Sequence, residues 1–216
     1  MAPRTKLAAA AGAVTAAALV LTACGGGGHD DKIASSHTPT STAAATTTAT
    51  VTAKDPKEPT FDFPSDVKVV IDADATGDAT KDAVLRDQAY GEQALFLAIA
   101  KLDPTLPVFR KYLTDKALGD WTNKIKWGQS HHESITGTVR FYDRTVTISG
   151  PDSAGVSLCQ SERNSYGKNT RTGEAIKTTP SLDDFTFHLV SMHKGTDGIW
   201  HMTADRSQER ATRCAR

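Results

Sequence analysis

The chain has no net charge to steer a partner. Lys and Arg number 25 against 25 Asp and Glu in 216 residues. The basic residues form neither a patch of the kind that follows nucleic-acid phosphates nor a polybasic segment suited to anionic headgroups, so nucleic acid is excluded as a partner. Also missing are a glycine-rich phosphate loop, a serine nucleophile elbow, a zinc-protease helix and a quartet of cysteine ligands, and no cofactor or metal is implied. Long apolar runs are scarce. The one present, Leu7 to Val20, is too short and too alanine-rich for a membrane-spanning helix. Cysteine is rare, three in all, an odd number that leaves one thiol over in a secreted protein.

Arg4 and Lys6 precede that apolar run and Leu21-Thr22-Ala23-Cys24 closes it, which is the three-part layout of a secretory signal. The closing tetrapeptide resembles the lipobox of bacterial lipoproteins, and no Arg-Arg pair near the start points to the twin-arginine route. The resemblance implies that the Cys24 thiol is diacylglycerylated and the chain cut between Ala23 and Cys24. Residues 1–23 are then a signal peptide, and the mature protein is lipid-anchored at the cell membrane, on its extracellular face, with the bilayer as partner. The alternative is an ordinary cleaved signal followed by a chance cysteine. Two acyl chains anchor stably where one binds only marginally, at ~0.8 kcal/mol per buried CH₂. Cleavage removes Arg4 and Lys6, so 25 basic residues become 23 against 25 acidic ones.

With Cys24 lipidated, Cys159 and Cys214 remain, and an oxidising exterior favours their pairing. Closing a loop of this length stabilises by ~4 kcal/mol in the chain-entropy model. The alternative is two unpaired buried thiols. Neither cysteine has a second Cys or His at metal-ligand spacing.

Residues 24–60 change character. Gly25 to Gly28 form a tether, and a Ser/Thr/Ala/Pro tract from Ser35 to Thr52 has almost no large apolar side chains, so it cannot bury enough surface to offset the entropy of ordering. A flexible coil of about thirty-six residues spans ~30–35 Å on average, enough to hold a domain clear of a lipid surface.

Residues 61–216 suit one domain with a proper core. Val67 to Asp72 reads as a strand. Gly77-Asp78-Ala79-Thr80 offers a cap, and Lys81 to Leu102 carries a helical stripe of Val84, Tyr90, Ala94, Leu97, Ala98 and Leu102. Pro104 ends it, and Pro107 opens a short helix through Leu113. A third helix runs from Asp115 to Trp127, with Gly128 as its stop. Alternation then takes over. Thr136–Tyr142 and Thr145–Ser149 read as two strands around an Asp143-Arg144 turn, Val156–Gln160 as a third, and Ser161–Ser181 as a long polar loop. Asp184–Lys194 and Ile199–Asp205 form a hairpin around Gly195-Thr196-Asp197-Gly198. Pairing Lys194 with Ile199 puts Phe187, Leu189, Trp200, Met202 and Ala204 on one face, with His188, Val190, His201, Thr203 and Asp205 on the other. Cys159 points away from the Val156 and Leu158 face, so a bridge to Cys214 straps the C-terminal tail across the opposite side.

The fold class is therefore α+β: three N-terminal helices packed on a curved, mostly antiparallel sheet. This resembles the nuclear transport factor 2-like cone, and within it the secreted lipoproteins of actinobacteria. The resemblance is carried by Ala98-Ile99-Ala100-Lys101-Leu102-Asp103-Pro104, Val156-Ser157-Leu158-Cys159, the Thr172-Gly173 turn, Asp197-Gly198-Ile199-Trp200 and the final Cys214, over roughly residues 66–214. It implies isomerases, dehydratases, cyclases or plain binding and dimerisation modules, so it does not settle function.

Candidate chemistry is sparse. His131-His132-Glu133 is eye-catching, but adjacent strand residues point to opposite faces and cannot easily share a metal, and the segment reads as a loop. His188 and Asp205 fall opposite or diagonal to each other, where a carboxylate raises an imidazole pKa, yet the expected register puts them on the surface. His193 shares its expected face with Phe187 and Trp200 and is the best polar candidate for a pocket at the open end of the cone. Trp127 joins them as an apolar wall. The favoured reading is a binding or interaction module for a small ligand, a cell-wall component or a partner protein, a homodimer included. The alternative is a cone-pocket isomerase, dehydratase or cyclase.

Overall fold

The structure, a computed structural model, describes residues 58–215. The signal peptide, Cys24 and nearly all of the expected linker lie outside the described residues. In chain order the elements are β1 (Val67–Ile71), α1 (Ala79–Lys101), α2 (Pro107–Tyr112), α3 (Asp115–His131), β2 (Glu133–Gly150), β3 (Ser153–Asn169), β4 (Ala175–Ile176), β5 (Phe185–Lys194) and β6 (Trp200–Glu209). The strands form one curved, open sheet in the order β1-β2-β3-β5-β6, with β4 added to β3. β1 runs parallel to β2, and every other pair is antiparallel. None of the described helices is long and apolar enough to cross a membrane.

Local chemistry sets the helices. The Asp78 carboxylate caps α1 by accepting from the backbone N–H groups of Thr80 and Lys81, and Leu102 closes it in the left-handed region, at φ 51°. Pro107 opens α2 as expected. Gly128 does not stop α3, which runs on to His131 and closes at His132, φ 56°. The reason is packing. A Cβ at Gly128 would lie 2.7 Å from the Glu133 carbonyl oxygen and 3.0 Å from the Leu102 side chain, so the glycine lets the returning chain pass close to the helix.

The sheet departs from its expected form in three places, each a matter of register. Asp143-Arg144 is not a hairpin turn. β2 is a single strand through this point, and the register shifts between Tyr142↔Cys159 and Thr145↔Ser157. One extra residue forms a bulge, with Asp143 at φ 52°. The bulge restores what the expected turn would have done, since Phe141 and Val146 still share the buried face. The polar stretch after Ser161 is not a loop at its start: β3 continues to Asn169, paired with the first half of β2. Finally, the β5–β6 hairpin pairs Lys194 with Trp200, and a bulge between Ser191 and Met192 makes Thr203 the extra residue, giving Val190↔Asp205. That register inverts the expected face of β5. His188, Val190 and Met192 turn inward with Trp200 and Met202, while Leu189 is 52% exposed.

The three helices cover the inner face. Val84, Leu85 and Leu95 of α1, Phe109 of α2 and Ile125 of α3 close on Phe141, Val156, Leu158, Met192, Trp200 and Met202 of the sheet. Gly91 permits the tightest approach, because any Cβ there would collide with the Met202 sulfur. On the outer face a second, smaller cluster holds Tyr142, Cys159, Phe185, Ala211 and Cys214. Cys159 and Cys214 lie at disulfide-bonding distance, Cα–Cα 5.4 Å. The tail crosses the outer face as expected, its carbonyl at Cys214 accepting from the Tyr142 hydroxyl.

Candidate functional site

Two sets of polar groups stand out among the described residues buried between the helices and the sheet, one around Gln88 and Glu92 and the other around His188. Gln88 and Glu92 are four residues apart on α1 and therefore share its sheet-facing side. Both are buried, and the Gln88 Nε2 donates to Glu92 Oε1 at 2.9 Å. The β2 bulge sends Arg144 inward until its side chain is 5% exposed. There the guanidinium donates to Asp74 Oδ2 (2.9 Å), the Leu85 carbonyl (2.9 Å), Gln88 Oε1 (3.1 Å) and the Asp72 carbonyl (3.0 Å). This fan of donors fastens β2 to the start of α1 and to the segment after β1.

In the second set, β5 and β6 bring together His188 and Asp205. The imidazole Nδ1 lies 3.0 and 3.1 Å from the two carboxylate oxygens of Asp205. His188 is 7% exposed, and its Nε2 is buried with no hydrogen-bond partner among the described residues. The pair thus stands inside the fold, not on the surface as the expected register had it.

Burial and charge act in opposite senses on these groups. Burial pushes the Glu92 carboxyl up to about 7, against the pull of the neighbouring His188 and Arg144 charges. Burial alone would push His188 down. The Asp205 hydrogen bond and charge, joined by the Glu92 and Glu162 charges, outweigh it and hold the imidazole above its ordinary value. Both shifts favour the protonated form of the group, a neutral Glu92 and a charged His188. Among the described residues no group of three or more His, Cys, Asp or Glu side chains is arranged to hold a metal ion.

Asp205 connects this interior to solvent. With Asp120, Trp121, Asn123, Lys124 and Ser207 it lines a groove of about 250 Å³ between α3 and the end of β6. The Lys124 ammonium sits 4.0 Å from the centre of the Trp121 ring.

The pocket residues expected from the sequence do not meet here. Trp200 is 1% exposed and packed in the core. Phe187 is on the outer face beside the cysteine pair, with the Arg213 guanidinium 4.4 Å over its ring. His193 is exposed near the hairpin tip, on the side of β5 opposite Met192. Trp127 is 53% exposed and stacks on His131 at 4.1 Å. His131 ends α3, His132 caps it and faces Arg171, and Glu133 opens β2. The physical cause is the same for Phe187 and His193: one residue of register moves a strand's whole side-chain set to the other face. Gln88, Glu92 and Arg144 were missed. The signal for the first two was an amide and a carboxyl at i, i+4 on the side of the helix that also carries Leu85 and Leu95. For Arg144 it was the change of alternation between Phe141 and Val146.

No family model and no curated protein matches the chain. Among solved structures, the intermembrane-space region of the chloroplast protein ARC6 is similar over 61% of this chain and 97% of its own, at 13% identity and a TM-score of 0.41. A candidate ketosteroid isomerase from Shewanella frigidimarina is similar over 60% and 98%, at 14% identity and a TM-score of 0.34. A candidate scytalone dehydratase from Novosphingobium aromaticivorans is similar over 60% and 87%, at 7% identity and a TM-score of 0.35. At these scores none of them bears on activity.

Proposed function

We propose that the chain is a membrane-anchored extracellular lipoprotein whose folded part is a cone-type binding or interaction module, not an enzyme. The observation that carries the module reading is the filled interior. Trp200 is 1% exposed, and Phe109, Phe141, Leu158 and Met202 are wholly buried between the helices and the sheet. A substrate enclosed by the cone would need the space these side chains take. What remains is at the surface, where a ligand, a cell-wall component or a partner is met from outside. The anchoring half of the reading rests on the Leu21-Thr22-Ala23-Cys24 segment.

Membrane fractionation of the full chain against Cys24→Ser tests the anchor. The variant is expected in the soluble fraction or unprocessed, and equal membrane retention with normal processing would sink it. A thermal-shift screen of small molecules on the full chain tests the module. Stabilising hits without turnover support it, whereas turnover of a hit that is lost in Asp205→Asn replaces it with the enzyme reading.

A further inference from the structure

The two edges of the sheet differ in what they leave open. β6, at one end of the strand order, is guarded. Its bulge at Thr203 breaks the regular spacing, Asp205 turns a charge inward to His188, and the Thr114 N–H already donates to the Met202 carbonyl at 3.0 Å. Bulges, inward charges and covering segments keep sheet edges from pairing with another chain. β1, at the other end, is a regular strand of five residues, Val-Lys-Val-Val-Ile, of which four are β-branched. Lys68 is the single charge within it, and among the described residues no segment pairs with its outer side.

Hydrogen-bond direction decides which backbone groups are free. In a parallel pair a residue sends its N–H and its C=O to the same neighbouring strand, and the next residue sends both the other way. The Gly137 N–H donates to the Asp66 carbonyl at 2.7 Å, and the Asp72 N–H to the Phe141 carbonyl at 2.9 Å. With Val67 opposite Gly137 and Ile71 opposite Phe141, residues 66, 68, 70 and 72 therefore serve β2, and residues 67, 69 and 71 face away from it. The Val67 N–H is already spent on the Pro64 carbonyl, at 3.0 Å. The N–H and C=O groups of Val69 and Ile71 have no hydrogen-bond partner among the described residues. Both residues are half-buried, with side chains packed on the core, so these groups stand along the rim of the sheet. Backbone groups left this way form a template for a further strand.

We infer that β1 is a pairing edge for a second copy of this chain, antiparallel to the first about a two-fold axis at Val70. The strand is complementary to itself in that register. Each Val69 N–H donates to the Ile71 carbonyl of the second copy and each Ile71 N–H to its Val69 carbonyl, four bonds that use every free donor of both strands. On the inner side Val69 and Ile71 come face to face and lengthen the apolar row. On the outer side Val70 meets Val70, and Lys68, which has no ion-pair partner among the described residues, comes opposite Asp72 of the second copy. Opposite charges and β-branched pairs across two strands stabilise the pairing. A register centred on Val69 instead would set Asp66 against Asp72, carboxylate to carboxylate, so charge selects the first. A pair of five-residue strands falls short of the ~1,200 Å² of a stable complex. The dimer is accordingly weak in dilute solution, and confinement to one surface, as in the anchored form proposed above, raises its effective concentration. The inference goes beyond the module reading and does not depend on any ligand.

The test is sedimentation equilibrium and cysteine trapping on the full chain carrying Cys24→Ser, which leaves no unpaired thiol beside the Cys159–Cys214 pair. A reversible dimer is expected as the protein concentration rises toward about 1 mM. Lys68→Asp sets a carboxylate against Asp72 of the second copy, and association should weaken several-fold. Its melting temperature at low concentration should stay unchanged, because Lys68 is exposed and makes no ion pair within the chain. Val70→Cys places two thiols in a non-hydrogen-bonded pair, with Cα atoms ~4.5 Å apart and within disulfide reach. Mild oxidation should convert it to a covalent dimer. Lys68→Cys, exposed on the same strand, should stay monomeric, since the two copies of residue 68 lie about four residues apart along the paired strands, or ~13 Å. A monomer at every concentration overturns the inference. So does equal trapping of Lys68→Cys and Val70→Cys, or association unchanged in Lys68→Asp, either of which would place the contact on another surface.

Discussion

Glu92 is 4% exposed on the inner side of α1, with Gln88 as its hydrogen-bond partner. Because its folded pKa of about 7 lies above the ordinary 4.5, the neutral form is the one the fold prefers. Its contribution to stability is complete at pH values below 4.5 and is lost as pH rises toward 7. His188 has the same sign, since its folded value is also raised, from 6.5; its contribution fades as pH climbs above that value. The carboxyls held below their ordinary value by hydrogen bonds and ion pairs, among them Asp66, Asp103 and Asp183, act under pH 4 and do not enter this window. Denaturant titrations should therefore show the wild type losing up to about 3 kcal/mol between pH 5 and pH 8. Glu92→Gln, which keeps a partner for Gln88 but cannot ionise, should flatten most of that slope. A wild-type stability that rises over the same interval would contradict the assignment. The His188–Asp205 proximity was legible from the sequence, since the expected hairpin set the two residues opposite or diagonal to each other. Whether the pair was wet or buried was not, because a one-residue change of register reverses every side chain on a strand.

At the scale of elements, glycine and bulges explain most of the departures. Gly128 reads as a helix stop from composition, yet α3 passes through it because the Glu133 carbonyl crosses 2.7 Å from where a Cβ would stand. Gly128→Ala should destabilise the fold by about 1–3 kcal/mol through overpacking, larger than the ~1 kcal/mol that alanine gains in helix propensity. Equilibrium unfolding of the single variant measures it, and a gain in stability would show that the glycine has no packing role. The Asp143-Arg144 step shows the same limit in a strand. A change of alternation between Phe141 and Val146 is visible in the sequence. A two-residue turn and a one-residue bulge both account for it, and only pairing with β3 along the whole of β2 separates them. The distinction matters, because the bulge is what carries Arg144 inward to Asp74 and Gln88. The helices were easier to read, since their caps and prolines act within a few residues.

For the whole folded unit, the Cys159–Cys214 pair closes a separation of 55 residues and ties the C-terminal tail over the outer face of the sheet. Forming this bond should stabilise the domain by about 4 kcal/mol by restricting the unfolded chain. Both sulfurs sit in residues of 3% exposure or less, so reductant should act slowly on the folded protein. Comparing melting curves of oxidised and fully reduced protein, with a non-reducing peptide map, checks both statements; two free thiols in protein prepared without reductant would refute the pairing. The pairing itself followed from counting thiols once Cys24 was set aside for lipid. The tail's placement followed from the alternation of Val156, Leu158 and Cys159 across β3. Element types and the three-helix-then-sheet order are properties of short stretches of chain, where periodicity, caps and proline act locally. Which polar groups are buried together is decided elsewhere. Glu92, His188 and Asp205 come from three elements, Tyr90 and Tyr112 from two helices, and each meeting depends on a register or a crossing set by long-range packing. Both meetings exist only when the core has closed, because a residue's neighbours across the fold are chosen by the burial of all the others.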